Sequence, residues 1–402
     1  MSEWKKVKLG EICERVTSGG TPKANVSSYY NPPTIPWLKT KEVNYCRITE
    51  TENYISEEGL KNSSAKLISP NSVIIAMYGQ GDTAGRIAIN KIPLATNQAC
   101  CNLTIDKSKA DYEFIYYQLC TLYDKLVSLK AGAAQPNLNA RIIKNLEIIM
   151  PSLPIQHRIA SILSRYDSLI ENYQKQIKLL EEAAQRLYKE WFVDLRFPGH
   201  ENTNIIDGVP EGWEKKSIGE IGTVITGKTP STSNKENYGG SIPFITIPDM
   251  HTGIYPVSSV FLSEKGAESQ SKKYIPQGAL IVSCIGTAGL VCITKERSQT
   301  NQQINSLILD DKEMLHYMYF VFLSLKEHLN NIGSNGATMT NVNKSKFEGI
   351  DIVVPSSCII RDFSQRTTPY FENIKSLQSQ LRLLTEARDR LLPKLMSGEI
   401  EI

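Results

Sequence analysis

The chain has few of the residues that usually carry catalysis or metal binding. It contains only five histidines and eight cysteines among 402 residues. The cysteines form no Cys-x-x-Cys pair, and no Cys/His cluster has the spacing of a zinc site. The sequence therefore predicts reduced thiols and no metal site, and the scattered histidines offer no Ser-His-Asp or Cys-His catalytic arrangement.

The sequence also lacks a long apolar run and a strong charge of one sign. Its most apolar strand-like stretch, residues 73–78, is too short to span a bilayer, and Lys5, Lys6 and Lys8 precede no apolar block. We therefore expect a cytoplasmic protein with no membrane partner. A formal net charge of +3 permits nucleic-acid binding without arguing for it, and 41% hydrophobic residues predict folded cores.

An internal repeat is the most informative feature that is present. Leu9-Gly10-Glu11-Ile12 returns as Ile218-Gly219-Glu220-Ile221, and further matches follow in the same order. They pair residues 17–22 with 226–230, 35–37 with 242–244, 72–75 with 279–282, 96–98 with 300–302, 132–133 with 336–337, and 137–139 with 341–343. A unit of about 200 residues is too long for a solenoid repeat, so each copy is predicted to be a folded domain.

A long helical segment with an apolar seam follows each copy. In the first segment the seam is Ile159, Leu163, Tyr166, Ile170, Tyr173, Ile177, Leu180, Ala184, Leu187 and Trp191. In the second it is Phe363, Thr367, Tyr370, Ile374, Leu377, Leu381, Leu384, Arg388, Leu391 and Leu395. One such stripe is typical of an ordinary core-facing helix. Two stripes in the same register favour a pair of helices packed on each other as an antiparallel coiled coil.

The predicted fold class is α+β, with two mixed α/β domains joined by the two long helices in an internal two-fold pseudo-repeat. In the first domain we expect strands at residues 73–77, 86–89 and 99–105, then a helix at 111–129. The second domain is expected to have strands at 280–285, 290–294 and 305–309, then a helix at 312–330. The predicted boundaries are domain one at 1–152, central helix at 153–196, linker at 197–212, domain two at 213–355 and carboxy-terminal helix at 356–402.

Two motifs suggest an enzyme, and both are incomplete. Asn31-Pro32-Pro33-Thr34 is similar to the loop with which amino-methyltransferases hold a flipped adenine, but Thr34 lacks the aromatic ring that stacks on the base. Residues 79–85 are glycine-rich, yet they have neither the Gly-x-Gly-x-x-Gly spacing nor the Lys-Ser/Thr pair of a P-loop. We interpret both as turns, the second with Thr83 at its tip and Thr287 at the tip of its counterpart.

Polar loops that recur in both copies are the better candidates for function. They are rich in Thr, Asn, Gln and Lys, whose side chains suit hydrogen bonding to phosphates and base edges. The same residue types also cap turns, and one residue at a time the capping role is the commoner one.

Two further stretches then resemble a known family. Residues 187–194 running into Arg196-Phe197-Pro198-Gly199 resemble the end of the central helix in specificity (S) subunits of type I restriction-modification systems. Residues 390–400 resemble that family's carboxy-terminal ending, and the Thr-Gly-x-Thr-Pro and Thr-Asn-Gln motifs are similar to those of its recognition domains. The resemblance covers essentially the whole chain.

The resemblance implies a non-catalytic subunit in which each domain reads one half of a bipartite site in double-stranded DNA. The helix pair would set the spacer, since its seam of roughly 48 Å matches about fourteen base pairs. The partners would be two methyltransferase (M) subunits and motor-nuclease (R) subunits. No cofactor would be bound by this chain, because S-adenosylmethionine would belong to the methyltransferase, and ATP and Mg to the motor-nuclease. The polar residues Thr367 and Arg388 weaken the second seam, and they are candidates for contact with a partner subunit rather than with the other helix.

Candidate DNA-binding residues are expected where the two copies differ. In the first domain they are Ser18, Lys23, Lys39, Thr40, Lys41, Gln80, Thr83 and Arg86. In the second they are Lys228, Ser231, Lys235, Thr246, Asp249, His251 and Thr287. Two alternatives stay open, an autonomous bipartite DNA-binding regulator and a coiled-coil scaffold that binds only proteins.

Overall fold

The structure is a computed structural model that describes residues 4–130, 137–333 and 341–402. The repeat matches at residues 132–133 and 336–337 lie outside this part of the chain. The molecule divides into two compact units, Met1–Ile170 with Leu384–Ile402 and Glu171–Leu383. Each unit therefore contains one globular copy together with a stretch of both long helices.

In its described residues, the first unit has eleven strands and four short α-helices before the first long helix. The strands are β1 Lys5–Lys8, β2 Cys13–Ser18, β3 Ile35–Leu38, β4 Cys46–Ile48, β5 Tyr54–Ile55, β6 Leu67–Ile68, β7 Val73–Ala76, β8 Ile87–Asn90, β9 Leu94–Thr96, β10 Cys100–Ile105 and β11 Glu147–Met150. The helices are α1 Glu57–Lys61, α2 Tyr112–Cys120, α3 Tyr123–Ser128, α4 Ala140–Lys144 and the long α5 Leu153–Tyr188.

A five-stranded sheet in the order β2-β10-β7-β8-β4 forms the centre of this unit, beside a four-stranded sheet in the order β5-β3-β9-β6. The central strand β7 is apolar throughout because both of its faces are covered. Val73 and Ile75 pack with the helices, whereas Ile74 and Ala76 pack in a second cluster with Leu38 and Leu94. Strand β1 pairs with β11, so the beginning of the domain is held beside the strand that leads into α5.

The second unit repeats this plan. Its strands are β12 Ile205–Ile206, β13 Val209–Pro210, β14 Glu214–Ser217, β15 Gly222–Thr226, β16 Tyr238–Ile245, β17 Val260–Leu262, β18 Leu280–Ser283, β19 Val291–Ile293, β20 Gln299–Thr300, β21 Ile304–Leu309 and β22 Asp351–Val354. Its helices are α6 Glu264–Glu268, α7 Leu315–Ser324, α8 Lys326–Gly333, α9 Lys344–Glu348 and the long α10 Ser357–Ser397. The sheet β15-β21-β18-β19 corresponds to β2-β10-β7-β8, and β14 pairs with β22 as β1 pairs with β11.

The two long helices run antiparallel. In the first unit Ile159 and Leu163, near the start of α5, share a buried cluster with Leu395 near the end of α10. In the second unit Trp191, just beyond the end of α5, lies 5.9 Å from Phe363 near the start of α10, measured between ring centroids. The predicted fold class, two mixed α/β domains with an antiparallel helix pair, is confirmed. None of the described helices is long and apolar enough to cross a bilayer.

The helix that follows the central sheet is broken in both copies, which the sequence did not predict. We expected one helix at residues 111–129 and one at 312–330, but α2 is separated from α3, and α7 from α8. In each case a hydroxyl at the break bonds back to a carbonyl three residues earlier. Thr121 donates to Gln118 O at 2.8 Å, and Ser324 donates to Val321 O at 2.7 Å.

Candidate nucleic-acid interface

A pair of crossing loops lies at one edge of the first domain. The loop after β2 contacts the loop between β9 and β10 through backbone bonds, from Gly19 N to Cys100 O at 3.2 Å and from Gly20 N to Thr96 O at 2.9 Å. Only glycine fits this crossing, because a Cβ on Gly19 would lie 2.1 Å from Thr96 O. The side chain of Thr21 then donates to Gln98 Oε1 at the exposed surface. We call residues 19–23 and 96–98 together the first loop pair.

The second domain contains the same arrangement at residues 227–231 and 300–302, the second loop pair. Gly227 N donates to Ile304 O and Lys228 N to Thr300 O, both at 3.0 Å. A Cβ on Gly227 would lie 2.1 Å from Asn301 O. Thr229 Oγ1 donates to Gln302 Oε1 at 2.5 Å. The two loop pairs therefore have the same backbone crossing and the same threonine–glutamine bond.

Each loop pair is also fastened to its domain by a tyrosine. Tyr30 donates its phenolic proton to Pro22 O, and Tyr238 donates to Pro230 O, each at 2.8 Å. The neighbouring carbonyl is held by different donors, the Trp37 indole to Gly20 O and the Gln270 amide to Lys228 O. The loop pairs are thus rigidly supported, although the supporting side chains differ.

The residues predicted to bind DNA in the first domain fall into three places. Ser18 and Lys23 are exposed at the first loop pair. Gln80, Thr83 and Arg86 lie on the turn between β7 and β8, where Arg86 pairs with Asp82 at 2.5 Å. That turn is closed by the Thr83 hydroxyl, which donates to Gln80 O, so residues 79–85 form the turn that the sequence predicted.

The third place is the end of β3, which carries Lys39, Thr40 and Lys41. Lys39 Nζ donates to Asn53 Oδ1 at 2.9 Å and lies over the Trp37 ring. Lys41 is exposed and pairs with Glu52. Thr40 is only 9% exposed, so its side chain offers little to a ligand.

In the second domain Lys228, Ser231, Lys235, His251 and Thr287 are exposed, the first two of them at the second loop pair. Thr246 donates its hydroxyl proton to Asp249 Oδ2 at 2.8 Å.

Asp249 differs from the other candidates because it is 3% exposed. Its carboxylate also accepts the backbone N–H groups of Thr246 at 2.8 Å and Ser259 at 2.9 Å. Glu42 does the same in the first domain, where it accepts from the backbone of Lys39 and Glu52. Asp249 therefore ties two loops together.

Gln98 and Gln302 are absent from the sequence-based set of candidates. Both side chains are exposed, and both lie where two loops cross. The signal that could have found them was the recurrence of Thr-Asn-Gln in both copies. Both glutamines are identical in the two copies, whereas the predicted DNA contacts lie where the copies differ.

A second polar cluster joins the long helices to the first domain. Asp167 of α5 is 4% exposed and accepts hydrogen bonds from Arg47 at 2.8 Å, Arg388 at 2.9 Å and Tyr117 at 2.5 Å. Burial raises the pKa of Asp167, but the hydrogen bonds from Tyr117, Arg47 and Arg388 outweigh it, so the net pKa lies below the ordinary value of 3.8.

The second unit has a mostly apolar cluster where α7 meets α10. His316 stacks on Phe371 with ring centroids 4.0 Å apart, and its Nδ1 lies 3.0 Å from Thr367 Oγ1. Thr367 donates its own proton to Phe363 O at 2.8 Å, so His316 is the donor to Thr367. Burial lowers the pKa of His316 to about 4.

These contacts correct the expectation for the two polar seam residues. Thr367 is fully buried against α7, and Arg388 pairs with α5. Neither needs a partner subunit to satisfy it. The remaining seam residues are buried or half-buried: Ile159, Leu163, Tyr166, Ile170, Tyr173, Ile177, Leu180, Leu187, Tyr370, Ile374, Leu377, Leu381, Leu384 and Leu391.

The fold defines a class of protein, one α/β domain built twice with the same exposed loop pair and joined by an antiparallel helix pair. A family model described as "Type I restriction modification DNA specificity domain" matches residues 1–182 and 210–365. The chain belongs to this family, the specificity subunits of type I restriction-modification systems, and its two globular copies are target recognition domains.

Individual relatives agree over the full length. The chain is 29% identical to the type I restriction enzyme HindI specificity subunit of Haemophilus influenzae, with 100% of both chains covered. It is 30% identical to the MjaIX specificity subunit of Methanocaldococcus jannaschii, covering 100% of this chain and 94% of that one. The crystal structure of a type I restriction-modification S subunit from M. genitalium has the same fold, with a TM-score of 0.68 at 16% identity over 98% of this chain and 96% of the other.

Proposed function

We propose that this chain is the DNA-reading subunit of a restriction-modification complex and that each recognition domain reads one half of a bipartite target in double-stranded DNA. The main observation in support is that each domain has one loop pair, which is exposed and held in place by backbone and side-chain hydrogen bonds. Side chains within this framework differ, for example Lys23 in the first domain against Ser231 in the second, each directly after the shared Thr-Pro. A shared framework with different surface residues is what two unlike half-sites require.

The chain has no catalytic centre of its own in this proposal. S-adenosylmethionine is brought by two methyltransferase subunits, and ATP and Mg by motor-nuclease subunits. Two exposed leucines support docking along the helices. Leu179 of α5 is 54% exposed and Leu383 of α10 is 56% exposed, and each directly precedes a seam leucine. Large apolar side chains that lie outside the seam at matching positions suit one partner per helix.

The helix pair sets the spacer between the half-sites. Its support is the continuous seam, which passes from one compact unit into the other on both α5 and α10. An antiparallel helix pair suits two half-sites on opposite strands, because its two helices run in opposite directions.

Modified-base sequencing of host DNA, with and without this gene, tests the proposal. We expect one bipartite adenine-methylation motif to disappear on deletion and to return with the gene. Exchange of residues 1–152 for another recognition domain should change one half of the motif and leave the other half intact. An unchanged set of methylated sequences, in cells that express the methyltransferase, would favour the autonomous regulator or the protein scaffold instead.

A further inference from the structure

The two loop pairs have the same construction, although other surface residues differ between the two recognition domains. Both contain a glycine with no room for a Cβ, a tyrosine bonded to the proline carbonyl, and a threonine bonded to a glutamine at the exposed surface. Residues that distinguish two different half-sites should differ between the domains. A feature built identically in both is suited to something that is identical at both half-sites.

The exposed threonine–glutamine bond contributes little to holding the loops. Backbone bonds, the glycine crossing and the tyrosine already position them. A hydrogen bond at a water-exposed site adds only about 1 kcal/mol to stability. The bond does, however, determine which way the glutamine amide faces. Because Thr21 and Thr229 donate to the Oε1 atoms of Gln98 and Gln302, the amide NH2 groups remain as the available donors.

The charge at each loop pair is positive. Lys23 and Lys228 are exposed, and among the described residues the structure gives neither ammonium group an ion-pair partner. Each loop pair therefore exposes a glutamine amide NH2 and a lysine ammonium, although Lys23 follows the proline in the first pair and Lys228 precedes the threonine in the second. A surface of donors matches a ligand that has only acceptors. The phosphodiester oxygens of DNA are such a ligand, and they are the same at every sequence.

We propose that the two loop pairs bind the DNA sugar-phosphate backbone, one at each half-site. Gln98 and Gln302 donate to phosphate oxygens together with Lys23 and Lys228, and Thr21 and Thr229 are positioning residues that orient the two amides. The proposal rests on the DNA-reading function above and adds a division of labour. The loop pairs supply affinity that does not depend on sequence, and neighbouring residues that differ between the domains supply specificity.

The test measures binding of the assembled methyltransferase complex to two duplexes, one with the chain's own methylation motif and one with that motif scrambled. Gln98→Ala and Gln302→Ala should each weaken binding roughly tenfold, and by the same factor on both duplexes. Gln98→Glu and Gln302→Glu should weaken it more, because a carboxylate still accepts from the threonine but repels phosphate. Thr21→Val should lose part of the affinity, and Thr21→Ser should restore it.

Salt dependence separates the lysines from the glutamines. Lys23→Ala and Lys228→Ala should each reduce the slope of log affinity against log salt by about 0.9, whereas the glutamine-to-alanine variants should leave it unchanged. Lys107→Ala and Lys312→Ala are matched controls. Both lysines are exposed. Lys107 follows the end of β10 and Lys312 follows the end of β21, which is the end of each strand away from its loop pair. Neither variant should change the affinity or the salt slope.

Two outcomes would overturn the proposal. Loss of affinity on the motif duplex alone would make the glutamines base-reading residues. Loss of complex assembly without DNA, seen by size-exclusion chromatography of the Gln98→Glu and Gln302→Glu variants, would make the loop pairs a protein contact. Failure of the DNA-reading function is separate from both, because the unaltered chain would then direct no bipartite methylation at all.

Discussion

Arg388 donates from Nη1 to Oδ1 of Asp167 at 2.9 Å, which joins the two long helices by a charged pair inside the first unit. Arg47 of β4 donates to the other oxygen of the same carboxylate, so one aspartate holds both helices and the recognition domain together. Both arginines approach a side chain that is almost completely buried. Each arginine has a second carboxylate, Glu113 for Arg47 and Asp389 for Arg388, so loss of Asp167 leaves the buried positive charge only partly compensated.

We expect Asp167→Ala to destabilise the first unit by about 3 kcal/mol, since it removes the buried acceptor that Arg47, Arg388 and Tyr117 share. Urea unfolding gives the size of the effect, and hydrogen–deuterium exchange should place it in residues 4–170 and 384–402. Glu182→Ala is the control, because Glu182 pairs with Lys178 at 4.0 Å on the helix surface. It should cost less than about 1 kcal/mol. Equal effects of the two variants would contradict a structural role for Asp167.

His316 should make the second unit sensitive to acid. The pKa of His316 falls to about 4 in the folded protein, against an ordinary value of 6.5, because the ring is buried. The unfolded chain therefore takes up this proton at a higher pH than the folded chain. The contribution is present above pH 6.5 and is lost as the pH falls towards 4, with a total of about 3 kcal/mol.

His316→Phe keeps the ring stacked on Phe371 but cannot take up a proton. Between pH 6.5 and 4 the wild-type chain should lose stability relative to this variant, measured by urea unfolding at a series of pH values. The same pH dependence in both proteins would show that another group is responsible. Asp167 does not interfere in this window, because its pKa lies below 3.8 and its contribution is lost only at lower pH.

The repeated elements of the fold could be predicted well from the sequence. The polar contacts that connect the long helices to the recognition domain could not. The seam could be read because period and register recur in two helices, and β7 because four apolar residues in a row require two covered faces. Asp167 could not be predicted as a joint. It follows seam residue Tyr166, and its partners Arg47 and Arg388 lie far away in the chain. Arg388 was recognised only as an exception to the seam.

The candidate site shows the same limit. Lys23 and Lys228 were predicted to be exposed basic residues in loops, and they are. Thr40 and Asp249 were also predicted to be accessible polar residues, but their side chains are buried. Asp249 is buried because its carboxylate accepts a hydrogen bond from the backbone N–H of Ser259 in another loop. Such contacts have no period and no local signal in the sequence.

The exposed leucines at matching positions of the two helices, Leu179 and Leu383, predict where a methyltransferase docks. Leu179→Ser and Leu383→Ser should each weaken binding of a methyltransferase subunit roughly tenfold, because each removes one large apolar side chain from the contact. Isothermal titration calorimetry measures the affinity. Ile206→Ser is the control, since Ile206 is 59% exposed but lies on the β12–β13 hairpin rather than on a helix. Unchanged affinity in both leucine variants would exclude this face as the docking surface.

The role of the helix pair in setting the spacer is better tested by inserting a heptad than by deleting one. Removal of residues 170–176 and 374–380 would also remove Ile374 and Gln378, and Gln378 accepts from Tyr255 N of the second domain at 3.2 Å. The two compact units divide after Ile170 on α5 and before Leu384 on α10. A heptad added at both positions leaves the contacts within each unit in place.

We expect duplication of residues 171–177 after Ile170, together with duplication of residues 377–383 before Leu384, to lengthen the helix pair by about 10 Å. The methylated motif should keep both half-sites and gain about three base pairs of spacer, as read by modified-base sequencing. Insertion in one helix alone should abolish methylation, because the seams on the far side of the insertion then fall out of register. If the double insertion remained active with the original spacer, the helix pair would not be what sets the distance between the half-sites.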